Sequence, residues 1–158
     1  MQRRIVFVSL ILAVSVGAMT GALGQSEHGK ATSADAVKWG PAPPMVPKGA
    51  EIAVLAGDPG KTGPFTLRLK MPAGFKIPAH SHPSYEAVTL ISGDFNIGMG
   101  DKLDESKAEK LKPGSFINLP AEMNHFAFAT ADSVVQINSE GPFSINYVNA
   151  ADDPRNAK

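Results

Sequence analysis

The chain of 158 residues has no cysteine. That excludes a disulfide, a thiolate metal ligand and a thiol nucleophile, and it leaves cysteine silent on redox compartment. There is no excess of either charge, since 15 Lys and Arg stand against 15 Asp and Glu. Taking Arg3 and Arg4 away with an N-terminal leader leaves 13 against 15, a net of −2. Neither balance gives the basic footprint that nucleic-acid binding requires. No Ser-His-Asp order, no phosphate-binding glycine loop and no second carboxylate pair stands out from spacing alone. Aromatic residues are 7% of the chain and histidine occurs only four times. Helix-like sequence is confined to Asp101–Leu111, which is charged and has no apolar face, so it reads as an exposed loop or a single helical turn.

What is present is turn chemistry. Gly 15 and Pro 13 are high for a helical protein, and hydrophobic residues at 43% are enough for a modest core. Together they indicate short elements between many turns, the habit of an all-β domain, and the length fits a single one.

Residues 1–24 read as a signal peptide: a cationic start with Arg3 and Arg4, an apolar run from Ile5 to Val16, and a small-residue end at Ala22-Leu23-Gly24. Cleavage after Gly24 places the mature protein in the periplasm or outside the cell. The competing reading is a retained anchor, because Ile5 to Leu23 nears spanning length. Residues 25–50 form a polar, then proline-rich arm, with His28 solvated near its start. Its prolines at 41, 43, 44 and 47 fix an extended course, and Trp39 is placed to pack the arm onto the domain.

Residues 51–149 carry short β-rich runs and 150–158 form a polar tail. Expected strands are Ile52–Leu55, Phe65–Met71, Glu86–Ile91, Phe95–Met99, Ser115–Leu119, His125–Thr130, Val134–Asn138 and Ser144–Val148. In Phe65–Met71 the apolar residues alternate with Thr66, Arg68 and Lys70, which is the pattern of a strand with one wet face. Gly93-Asp94 fits a hairpin turn. The set points to a compact β-barrel or jelly roll.

Three of the four histidines fall in one pattern. His80 and His82 are two apart, so a strand aims both to the same side, and Glu86 has the same parity. His125 opens a later strand, and a neighbouring strand about 4.8 Å away can deliver it to the same point. Imidazole and carboxylate donors suit one divalent transition ion, iron, manganese, zinc or nickel, with copper also in range, at about 2.0–2.2 Å. Pro78, Pro83 and Pro120 stiffen the chain around these residues.

The stretch Gly74–Gly93 resembles cupin motif 1, G-x5-H-x-H-x3-E-x6-G, with Gly74, His80, His82, Glu86 and Gly93 at every fixed position. Gly114, Pro120 and His125 resemble cupin motif 2, with Glu122 where that motif has glycine and Ala129 where it has asparagine. The resemblance covers roughly residues 51–149. It implies an all-β, cupin-type jelly-roll β-barrel of a single domain, with His80, His82, Glu86 and His125 as ligands. It also implies frequent dimers through exchanged edge strands. Phe126 and Phe128 alternate with His125 and are expected to fill a second layer of core, the alternative being that they feed such an interface.

Four protein ligands on an octahedral ion leave two positions for small molecules, a catalytic layout rather than a closed structural one. The activity expected is that of an exported, metal-dependent oxidoreductase, dioxygenase-like, acting on a small organic molecule. A non-catalytic binding or sensor protein, and an isomerase or decarboxylase using the metal as a Lewis acid, are the alternatives. Val88, Leu90 and Ala127 share parity with the ligands and are candidates for a cavity wall. Phe75, Tyr85, Phe95, Met99 and Met123 are candidates for its mouth. Glu122 is the one extra acid–base candidate near a ligand. No nucleic acid, and no membrane after leader removal, is expected as a partner.

Overall fold

The computed structural model describes Gly29 and residues 31–157. The proposed leader, its cleavage point and His28 lie outside the described residues. From Thr32 onward the chain forms one compact unit. Among the described residues, no helix is long and apolar enough to cross a membrane.

Among the described residues, eleven strands form two sheets: β1 Gly40–Pro41, β2 Glu51–Ala56, β3 Gly63–Met71, β4 Lys76–Ser81, β5 Glu86–Ser92, β6 Phe95–Met99, β7 Glu109–Leu111, β8 Phe116–Leu119, β9 His125–Ala129, β10 Ser133–Gly141 and β11 Asn146–Tyr147. One sheet has the order β1-β2-β3-β10-β5-β8 and the other β11-β4-β9-β6-β7. Every pairing is antiparallel. This is an all-β jelly roll, two sheets closed over a common core.

The longest pairing, β3 with β10, shows how sequence sets register. Leu67, Leu69 and Met71 turn inward from β3, and Val135 and Ile137 do so from β10. Burying each such side chain contributes roughly 2 kcal/mol. On the wet face the same register sets Arg68 opposite Gln136 and Thr66 opposite Asn138. Both pairs hydrogen-bond, at 3.2 and 2.8 Å. A one-residue slip would exchange the two faces, so the register is firmly specified.

A second, smaller core lies on the outer face of the five-stranded sheet. Phe126 and Phe128 pack there with Ala79, and Leu103 and Ala108 cover them. The expected second layer for these phenylalanines is therefore present, and the charged 101–111 segment is its lid, with one 3-10 turn at Glu105–Lys107 and the short strand β7. Gly98 is required opposite it: a Cβ there would sit 2.2 Å from the Phe126 Cζ.

One expectation is corrected. Gly93-Asp94 does not close a hairpin, because β5 and β6 belong to different sheets. Gly93 instead turns the corner between sheets with φ of 94°, and a Cβ would meet the Asp132 carbonyl at 2.3 Å.

The proline arm packs on its own barrel. Gly40 and Pro41 pair with Ile52 and Glu51. Lys70 caps the Trp39 ring at 5.4 Å, and Val46 and Ala50 enter the main core. The tail returns as well: the Arg155 guanidinium donates to the Ile145 carbonyl at 3.0 Å and is held by Asp153.

Candidate metal centre

The H-x-H stretch needs a break in strand regularity to face inward. Ile77 belongs to the main core, whereas Ala79 points to the outer cluster. A bulge between Ile77 and His80 resets the alternation. After it, His80 lies directly opposite His125 of β9. Bulges re-aim side chains in this way beside functional sites. Glu86 arrives from the other sheet as the first residue of β5.

The result is a tight, buried cluster. His80, His82, Glu86 and His125 are 3, 4, 7 and 2% exposed. One donor atom from each of the three histidines can be chosen so that all lie within 4.8 Å of one another. The Glu86 Oε2 stands 3.5 Å from the His82 Nε2 and 3.3 Å from the His125 Nε2.

Each imidazole is oriented by a backbone carbonyl. The Nδ1 of His80 contacts the Pro78 carbonyl at 2.7 Å, that of His82 the Ser144 carbonyl at 2.7 Å, and that of His125 the Met123 carbonyl at 2.9 Å. A carbonyl only accepts, so Nδ1 carries the proton and every Nε2 presents a lone pair. Carbonyls that fix ring and tautomer in this way are the usual support of metal-ligating histidines. The His82 Nε2 is buried and has no hydrogen-bond partner among the described residues. Such a nitrogen costs about 1–3 kcal/mol when left unsatisfied. The residues thus fit a metal ion: nitrogen donors aimed at one point, a carboxylate beside them, and an orphaned lone pair.

The electrostatics differ from ring to ring. Burial, with His125 and His82 beside it, lowers the His80 pKa to about 3, so its imidazole is neutral at ordinary pH. Burial alone would lower His82 too, but the Glu86 charge outweighs it and raises that pKa. Burial pushes the Glu86 carboxyl up, yet the His82 and His125 imidazoles prevail and hold it well below the usual carboxylate range. Glu86 is a buried anion at neutral pH, and among the described residues its close partners are the His82 and His125 imidazoles.

A cavity of about 340 Å³ reaches these four residues. Apart from them, every side chain on its wall is apolar or absent. The arm supplies Pro43, Met45 and Val46. The segment after β10 supplies Phe143 and Ile145, and Val54 stands where the wall meets solvent, 50% exposed. Phe143 stacks on His82 with centroids 4.3 Å apart. Tyr147, paired with His80 across β11 and β4, donates its hydroxyl to the Met45 carbonyl at 2.8 Å and so ties the arm over the cavity. Burial lifts this phenol to about 12, so it is a neutral donor.

Of the wall candidates read from parity, Val88 and Ala127 line the cavity, and so does Phe95 from the mouth group. Leu90 and Phe75 belong to the general core. Tyr85, Met99 and Met123 are exposed and do not line it. Glu122 is exposed on a turn, outside the lining, and its backbone N–H donates to the His82 carbonyl at 2.8 Å. Its φ of +60° explains why glycine is usual at that position of the motif. Met45, Phe143 and Ser144 were not legible as site residues. Only the apolar Met45-Val46 within the proline arm and the Pro142-Phe143 pair hinted at them.

The two sheets and their arrangement are those of the cupins. A polyketide cyclase, RemF from Streptomyces resistomycificus, superposes with a TM-score of 0.64 at 17% identity, covering 80% of this chain and 90% of that one. An RmlC-like cupin from Ralstonia eutropha JMP134 gives 0.58 at 19% identity, with 77% and 74% covered. KdgF from Halomonas sp. gives 0.55 at 19%, with 72% and 94% covered. These likenesses define the fold, not the activity. Residues 27–146 match the model of the family described as "Domain of unknown function (DUF4437)", and the chain belongs to that cupin-like family. No curated protein sequence matches it significantly.

Proposed function

We propose that the protein is an exported, metal-dependent oxidoreductase of the dioxygenase-like kind, acting on a small organic molecule. The observation that carries this reading is the convergence of three pre-oriented imidazoles and Glu86 on a cavity with no other ionisable side chain on its wall. His80, His82, His125 and Glu86 would hold one divalent ion. When bound, a redox-active ion such as iron supplies electrons to dioxygen and Lewis acidity to a substrate oxygen.

The chain's own residues do the rest. The carbonyls of Pro78, Ser144 and Met123 keep each ring from turning. Glu86 brings one negative charge, so a divalent site keeps a single net positive charge with which to attract an electron-rich oxygen. The apolar wall excludes water and leaves that charge poorly screened. Isomerisation would need a separate acid–base group facing the substrate carbon, and the wall offers none beyond the four residues themselves. That favours chemistry carried by the ion.

On this reading the partner is a small-molecule substrate, a homodimer being what the family resemblance implies, with no nucleic acid and no membrane after leader removal. The location is the periplasm or the cell exterior, and mass spectrometry of the mature protein is expected to find Gln25 first; an intact Met1 removes the export claim. The functional test is metal analysis of protein from its native compartment, followed by oxygen uptake with phenolic and enolizable compounds. Iron with oxygen uptake supports the reading. Tight zinc without turnover replaces it with a binding or sensor protein, and turnover without oxygen replaces it with Lewis-acid catalysis.

A further inference from the structure

We infer that the substrate is an apolar molecule of about a dozen non-hydrogen atoms with one oxygenated end, entering that end first, and that it is not a polyhydroxylated compound. The inference rests on the reading of the cavity as the substrate site, and it concerns what the wall accepts rather than which reaction follows.

Size comes from volume. The cavity measures about 340 Å³. A dry apolar cavity of about 150 Å³ holds benzene, so this one accommodates roughly a dozen heavy atoms by proportion.

Chemistry comes from the wall. Leu67 and Leu69 of β3, Val135 and Ile137 of β10, and Met45 of the arm present only hydrocarbon or thioether. The sole side-chain donors and acceptors are the four clustered residues. A sugar or polyol would bury several hydroxyls against this surface without partners, and each would weaken binding by roughly tenfold. One oxygenated group meets partners, because the four polar residues of the wall converge on a single point.

Direction comes from exposure. The wall runs from Val54 at the solvent rim, 50% exposed, to ligand candidates that are 2–7% exposed. A molecule with its oxygen at the buried end leaves its apolar body against the leucines and the arm. Pro43, Met45 and Val46 lie over that body, and the Tyr147 hydroxyl holds Met45 in place.

The test is calorimetric titration of the metal-loaded full chain with 1-naphthol, decanoate and glucuronate. Naphthol and decanoate are expected to bind with a negative heat-capacity change, the mark of apolar burial. Glucuronate is expected not to bind. Ile137→Phe fills part of the cavity and is expected to weaken naphthol binding at least tenfold with metal content retained. Val54→Trp narrows the exposed rim, where folding is insensitive, and is expected to weaken it in the same direction; it decides the matter if Ile137→Phe does not fold. Glucuronate binding tighter than naphthol, failure of both apolar probes, or unchanged affinity in the folded variants would overturn the inference. Naphthol binding without oxygen uptake upholds it and removes only the oxidative reading.

Discussion

The Phe143 ring lies stacked on the His82 imidazole, with centroids 4.3 Å and planes 18° apart. The next residue, Ser144, accepts the His82 Nδ1–H through its carbonyl at 2.7 Å. One short segment therefore holds a ligand candidate by face and by edge, and the same ring forms part of the cavity wall. Phe143 also meets Phe65 edge-on at 5.2 Å, which anchors it to β3. Phe143→Ala is expected to weaken metal affinity by about tenfold, the usual scale for removing support behind a ligand. Chelator competition measures this, and unchanged affinity would show that the carbonyl alone orients the ring.

Glu122 occupies a left-handed backbone conformation, φ +60°, that suits glycine. Glu122→Gly is expected to stabilise the protein by about 0.5–1 kcal/mol, the relief of strain exceeding the added freedom of the unfolded chain. Metal content and any activity are expected to be unaffected, because the side chain is exposed and outside the cavity. Urea denaturation checks the first part. A loss of turnover without loss of stability would return Glu122 to the list of catalytic groups.

Gly98→Ala acts on the outer core. The new methyl would overlap the Phe126 ring, which is fully buried and has no room to retreat. A cost of about 1–3 kcal/mol is expected, as for other overpacked sites. The thermal midpoint should fall while metal affinity per folded molecule is kept, since the overlap lies on the face away from the cavity.

Acid is expected to weaken the metal-free protein through His80. Its folded pKa is about 3 against an ordinary 6.5. Between those values the unfolded chain binds a proton that the folded chain refuses, so stability falls as pH drops below about 6.5. At pH 5 the His80 contribution is a loss of about 2 kcal/mol relative to neutral pH. His82 works in the opposite sense: its raised pKa gives stabilisation that is full below 6.5 and fades as pH rises through the raised value, offsetting part of the loss. Glu86, whose pKa is depressed, adds its own loss only as pH falls below about 4.5. Denaturation of the apoprotein at pH 7.5 and 5, in the wild type and in His80→Ala, isolates the His80 share, and an equal pH dependence in the two would contradict the neutral His80.

Much of this was readable from the chain because its signals are local. The alternation in Phe65–Met71 and the spacing of His80, His82 and Glu86 each fit within one element. The strand carrying His80 was not delimited, because Ile77, Ala79 and His80 break simple alternation at the bulge. β7 was hidden in a charged stretch whose single buried residue is Leu111. The arm's role in the cavity wall depends on a hydrogen bond between Tyr147 and Met45, 102 residues apart, which no local pattern encodes. Phe143 has no local signature for the same reason, since its partners are on β3 and beyond β4. Gly93 is ambiguous in sequence, because a tight turn and a corner between sheets both call for glycine.

The most direct measurement is the metal content of purified wild-type protein beside His82→Ala. Among the described residues the Nε2 of His82 is the buried side-chain nitrogen without a hydrogen-bond partner, so its removal should leave the barrel folded and abolish stoichiometric binding. About one equivalent of transition metal in the wild type, and none in a variant with unchanged circular dichroism, is the predicted result. A folded His82→Ala variant that retains its full metal content would contradict the account.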